Sequence, residues 1–291
     1  MVEQLEDRSF KRITDSFPIP MLKYLRVQHE TVKPYNTKIE LDDNSRQFLD
    51  YVIQIFDDKL FDLEFHSTVL TLIHLGRYGT YKINLRVDSK KWVYQCILCT
   101  ADPELSKKEL FINEGEEVKL NIVFTLDDDA DEKIKILEDI IYTNRKLTST
   151  DIEIIYLTVA LYMKSSLTKS ELLLKISELT NHIEGLSDEE IFEIKLFQKA
   201  FMDKFISDND KLKGEIEKMI SISNVDAMRE LFPEESKKVM MESKEEGREE
   251  GREEGRKEER IKMVQNMKEL GDNLLDISKR TGLSVEEIEN L

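Results

Sequence analysis

The stretch Phe48-Leu49-Asp50-Tyr51-Val52-Ile53-Gln54-Ile55-Phe56-Asp57-Asp58-Lys59-Leu60-Phe61-Asp62-Leu63-Glu64-Phe65-His66-Ser67 reads as two apolar strands joined by a tight turn at Asp57-Asp58-Lys59. Side chains alternate along a strand, so the second strand puts Asp62, Glu64 and His66 on one side and Phe61, Leu63 and Phe65 on the other. If the turn closes with an odd number of residues, Asp50 lies opposite Glu64 or His66 on the same face. A plain hairpin has no need of acidic residues there. Two carboxylates and an imidazole beside a buried apolar face make a candidate divalent-metal site. The same spacing also fits a solvated acidic face with a structural histidine.

The metal reading has a definite chemistry. Cleaving a phosphodiester adds negative charge to the scissile phosphate, and bound Mg²⁺ or Mn²⁺ is a common answer to it. Such hard cations take oxygen ligands, here Asp50 and Glu64, with waters and a backbone carbonyl completing the shell. His66, two positions after Glu64 on the same face, is placed to orient or deprotonate the attacking water as a neutral base.

Outward from the hairpin, Tyr24 to Lys38 is irregular and contains Pro34. Thr68 to Val87 is read as a helix despite Gly76 and Gly79, each of which costs about 1 kcal/mol against Ala. Lys91 to Thr100 is a buried strand, and Leu110–Asn113 with Val118–Leu126 a second hairpin around Glu114-Gly115. From Asp129 the pattern turns helical. Thr150-Asp151-Ile152-Glu153 and Ser187-Asp188-Glu189-Glu190 both fit a capping box, and Ile191, Ile194, Leu196, Phe197 and Phe201 follow at helical spacing.

The segment 245–260 repeats Glu-Glu-Gly-Arg. Its Glu and Arg side chains pair at helical spacing but add only about 0.2–0.5 kcal/mol each, which the glycines offset. It reads as a solvated spacer or an interaction arm. Periodicity returns at Ile261, with one short helix ended by Gly282 and another capped by Ser284. Glu286, Glu287 and Glu289 on that last helix argue against a DNA-reading helix-turn-helix and for a packing or oligomerisation motif. The expected organisation is a core over residues 1–128, a helical subdomain over 129–241, the charged spacer at 242–262 and a small helical motif at 263–291.

The totals frame this. The 291 residues are 40% hydrophobic and 35% charged, with a net charge of −17. Such acidity opposes loose binding to DNA but leaves room for a local basic groove or for metal ions at an acidic site. Cys96 and Cys99 lie inside an apolar strand with no second pair, and residues three apart in a strand face opposite sides. They are therefore expected to be buried structural thiols rather than half of a zinc site. No run resembles a signal peptide or reaches transmembrane length, so a cytoplasmic protein is expected, without membrane partners.

The order Phe48-Leu49-Asp50, hairpin, Leu63-Glu64-Phe65-His66-Ser67 resembles the Rpn family of recombination-promoting, transposase-type nucleases within the PD-(D/E)XK superfamily. The placement of Arg77 with Tyr81, the strand Val93 to Thr100, the Glu-Glu-Gly-Arg repeats and the ending Ile277 to Ile288 are similar too. The resemblance implies an α/β restriction-endonuclease-like core, with a mixed central sheet flanked by helices and followed by an α-helical C-terminal region. It implies a metal-dependent DNA endonuclease associated with recombination or mobile elements. Asp50 and Glu64 would hold Mg²⁺ or Mn²⁺, and His66 would be catalytic, standing where the family has Gln and the superfamily Lys. No proline stands directly before Asp50, and the helical Glu of some members would be Glu30 or Glu40, or be absent. The rival expectation is a nuclease-like protein without catalysis, acting as an interaction module and forming a homo-oligomer through its C-terminal region.

Overall fold

A computed structural model describes residues 2–27, 32–40, 46–56, 58–113, 116–118, 120–222, 224–231, 233, 263, 265, 267–268 and 273–289. The Glu-Glu-Gly-Arg repeats, the turn residue Asp57, Glu30, Glu114 and Gly115 lie outside them. Among the described residues the central sheet has five strands, in the order β1 (Lys33–Pro34), β4 (Tyr51–Phe56), β5 (Lys59–His66), β6 (Trp92–Cys99) and β9 (Asn121–Phe124), while β2 (Lys38–Glu40) and β3 (Arg46–Phe48) pair with each other outside it and helix α2 (Pro18–Tyr24) precedes it in the chain. β4 runs antiparallel to β1 and β5, whereas β6 is parallel to both β5 and β9. The sheet is therefore mixed and flanked by helices, an α/β architecture.

β5 explains the layering. Parallel neighbours need a long crossover, and α3 (Leu72–Ser89) provides it between β5 and β6. Helices then cover both faces of β5, and every residue from Leu60 to His66 is buried. Phe61, Leu63 and Phe65 enter the main core, where Phe10 of α1 (Val2–Ser16) stacks on Phe65 at 5.5 Å. Asp62, Glu64 and His66 lie on the face that α3 covers, with Tyr78 of α3 against His66. The expected helix over this crossover is present. Thr71 caps it in a reciprocal box with His74, and Lys90, at φ 57°, ends it in the left-handed region.

The second hairpin differs from expectation. Among the described residues β7 (Leu110–Asn113) pairs only with β8 (Glu116–Val118), and β9 joins β6 in parallel instead. An apolar run from Val118 onward hides that break, because edge pairing and sheet insertion carry the same alternation. Cys96 and Cys99 are free, buried and on opposite faces, Cys96 among the main core and Cys99 beside Leu75 and Tyr78. Burial pushes the thiols up to about 12 and about 11.

Beyond β9 come α4 (Ala130–Tyr142), α5 (Glu153–Tyr156), α6 (Lys169–His182), α7 (Asp188–Phe205) and α8 (Lys213–Ile220). The Ser187–Glu190 capping box forms as expected, and a second closes between Thr168 and Glu171 at the start of α6. The expected Thr150 box does not form. Asp151 turns back instead to accept from the Thr148 main chain and hydroxyl, at 2.8 and 3.1 Å. One hydrophobic core runs from Phe10 through the sheet to Ile220, so the sheet and these helices share their interior. Arg12 of α1 also grips Glu193 of α7 with two hydrogen bonds, at 2.6 and 2.8 Å.

The chain divides into two compact units, residues 1–227 and 228–291. In the second, helices Leu274–Thr281 and Val285–Glu289 bury Ile277 and Ile288 with Met267. Gly282, at φ 74°, ends the first, and Ser284 caps the second through Glu287. Among the described residues no helix is long and apolar enough to cross a membrane.

Candidate metal centre

The β4–β5 register pairs Tyr51 with Leu63 and Val52 with Asp62, so one step beyond the ladder Asp50 stands opposite Glu64. The two residues interlock through the main chain. The Asp50 N–H donates to Glu64 Oε1 at 3.3 Å, and the Phe65 N–H donates to Asp50 Oδ2 at 2.9 Å. Asp50 is half-buried at the open end of the hairpin, while Glu64 is 2% exposed beneath it. Asp50 is thus the less buried of the two residues, and Glu64 the inner one.

A third carboxylate was visible in the sequence but had no role there. Asp62 is fully buried, takes a 2.7 Å hydrogen bond from Gln95 Nε2 of β6, and leaves Oδ1 without a donor. The parallel register that pairs Asp62 with Gln95 is what brings them together. Asp62 and Glu64 also meet side chain to side chain. Desolvation raises Asp50, Asp62 and Glu64 alike. For Glu64 the charges of Asp62 and Asp50 push further in the same direction. Two buried acids and one half-buried acid are thus held above the ordinary carboxylate range on one face of the sheet.

His66 is placed on the same face, as the alternation requires, but it is fully engaged. Nδ1 lies 3.0 Å from the Tyr78 hydroxyl and Nε2 lies 3.2 Å from Thr68 Oγ1. Arg77 Nη2 donates to the same tyrosine oxygen at 3.1 Å, which leaves the Tyr78 O–H for His66. Burial, followed by the nearby His74 and Arg77, lowers His66 to about 4. It is neutral at pH 7, as the sequence reading required, yet neither ring nitrogen is open to a water.

Two cations act on the site from opposite sides of the sheet. The charges of Lys11, on α1, and Arg77, on α3, both favour the ionised form of Asp50. The Arg77 guanidinium also sits 5.0 Å from the Tyr78 ring centre and 6.0 Å from that of Tyr81. Arg77 with Tyr81 enters the sequence reading only through the family resemblance; Lys11 carries no local signal, because only the packing of α1 on β5 brings it near. Of the expected helical acids, Glu30 lies outside the described residues, and Glu40 ends a short strand, Lys38–Glu40, paired with Arg46–Phe48, rather than standing on a helix. Among the described residues, a buried acid on a helix is Glu6 of α1, 3% exposed, which accepts from Thr100 Oγ1 at 2.8 Å.

The donor chemistry fits a hard divalent cation. Asp50 and Glu64 offer carboxylate oxygens on adjoining strands, and the orphaned Asp62 Oδ1 is a buried acceptor on the same face. Among the described residues no three or more His, Cys, Asp or Glu side chains are grouped so as to hold a metal ion, so the candidate protein ligands are the Asp50–Glu64 pair alone. Comparison with protein-family models, with curated proteins and with solved structures finds no match for this chain.

Proposed function

We propose that this chain is a metal-dependent DNA endonuclease with a restriction-endonuclease-like core, of recombination or mobile-element type, in which Asp50 and Glu64 hold Mg²⁺ or Mn²⁺. The observation that carries the reading is the interlocked pair itself: two carboxylates opposite each other across a hairpin end, one half-buried and one buried. When bound, such an ion polarises a phosphoryl oxygen and makes a bound water easier to deprotonate. The order of Asp50, the hairpin and Glu64 in the sequence resembles the Rpn nucleases and supports the same assignment.

The chain's own residues divide the remaining work. The Phe65 amide fixes the Asp50 carboxylate, and the Asp50 amide fixes that of Glu64. His66 acts as a positioning residue, tying the end of β5 to Tyr78 and Thr68. Arg77 and Lys11 place positive charge near Asp50, where an acidic chain must offset its own repulsion of phosphate. Two free, buried thiols suit a reducing, cytoplasmic setting.

Plasmid nicking tests the reading. Purified protein converts supercoiled DNA to the open circle in Mg²⁺ or Mn²⁺ and not in EDTA, and both Asp50→Ala and Glu64→Ala abolish the conversion. Equal residual nicking in wild type and both variants refutes it. A second reading rests on the engagement of both His66 nitrogens. In that reading the site no longer cuts, and the protein works as an interaction module that self-associates through residues 242–291. It predicts a homo-oligomer that loses mass in solution when those residues are deleted, and no metal-dependent cleavage.

A further inference from the structure

The parallel strands β5, β6 and β9 all end on the same side of the sheet. Ser67 and Thr100, directly beyond β5 and β6, and Leu126, two residues beyond β9, line one cavity of about 540 Å³. Ligands of open α/β sheets bind in the crevice outside the carboxyl ends of the strands. Asp50, at the start of antiparallel β4, opens at that same end.

The cavity's wall is aromatic. Tyr162 stands edge-on to Phe201 and Phe205, with ring centres 5.1 and 5.7 Å away. Its charge is not balanced internally. Lys204 is paired with the buried Glu6, so those two cancel. Lys169, exposed at the first position of α6, stands 3.4 Å from the centre of the Phe205 ring, and among the described residues no carboxylate pairs with it. A cation laid against a ring at the mouth of an aromatic cavity suits a ligand with one anionic and one planar part.

We propose that this cavity takes a nucleotide of the DNA strand a few positions from the scissile phosphate, with the phosphate on Lys169 and the base against Phe205. The assignment of DNA rests on the nuclease reading.

Thymidine 5′-monophosphate, titrated into the full chain in EDTA and followed by ligand-observed NMR, tests the assignment without any need for cleavage. The nucleotide is expected to bind more tightly than thymidine or inorganic phosphate. Lys169→Met and Phe205→Leu should each weaken it about tenfold or more, and Glu64→Gln should leave it unchanged. Unaltered affinity in Lys169→Met overturns the proposal, and so does phosphate binding as well as the nucleotide. A protein that nicks plasmid but fails this titration loses the cavity assignment alone. A protein that binds the nucleotide through Lys169 but never nicks loses the nuclease reading, and with it DNA as the source of the nucleotide, while the cavity keeps its nucleotide assignment.

Discussion

Asp50 and Glu64 hold each other in place through the main chain rather than through a direct side-chain bond: the Asp50 amide donates to Glu64 Oε1, and the amide after Glu64 donates to Asp50 Oδ2. Both carboxylates keep oxygen lone pairs for another partner, because a carboxylate offers about four acceptor positions.

The first consequence concerns pH. Burial, then the charges of Asp62 and Asp50, hold Glu64 well above the ordinary carboxylate range. A carboxyl raised in the folded state contributes stability below its unfolded pKa of about 4.3. That contribution is lost as pH rises through the folded value. In metal-free buffer, Glu64→Gln should therefore melt above wild type at pH 8, with the difference shrinking toward pH 4. Thermal denaturation across that range checks the sign, and a wild-type advantage at pH 8 would contradict it.

His66 gives a second. With its pKa lowered to about 4, its ring resonances should titrate near that value in NMR rather than near the ordinary 6.5. Removing the hydroxyl in Tyr78→Phe takes away the Nδ1 partner and should cost about 0.5–1.5 kcal/mol of stability. If nicking follows a group titrating near 6.5 that vanishes in His66→Gln, the positioning role is wrong and the imidazole is a base after all.

Gly76 offers a test of helix α3. A Cβ added there meets nothing within 4 Å, so Gly76→Ala should stabilise the protein by about 0.4–1 kcal/mol in urea denaturation. A loss of stability would mean that α3 needs the glycine for something other than its backbone.

Phe10 joins the sheet to the helical region, with Phe65 on one side and Phe197 and Tyr162 at 5.1 Å on the other. Phe10→Ala should cost about 3–5 kcal/mol. Because sheet and helices share one core, fluorescence and circular dichroism should report a single coincident transition for residues 1–227.

Local pattern carried much of this molecule, and pairing carried the rest. The alternation in Lys59–His66 placed Asp62, Glu64 and His66 on one face, which spacing alone allows; that Asp50 faces Glu64 depends on a register shift between Gln54 and Phe56 that spacing does not announce. The departure of β9 from its expected hairpin was not readable, because strand alternation does not say which neighbour is chosen. Gln95 reaches Asp62 only through a parallel register set by a crossover helix. The occupation of both His66 nitrogens depends on Tyr78 and Thr68, one across the sheet–helix interface and one around a bend. A capping box is likewise only a local possibility: at Thr150 the turn made by Thr148 and Asp151 took its place.

The most direct test of the account is Mn²⁺ binding at equilibrium, followed by calorimetry and by the loss of the free-ion electron paramagnetic resonance signal, in wild type, Asp50→Ala and Glu64→Ala. The account predicts that wild type binds the ion and that each substitution weakens binding about tenfold or more, or at least about 1.4 kcal/mol. Wild-type affinity retained in both variants would contradict it.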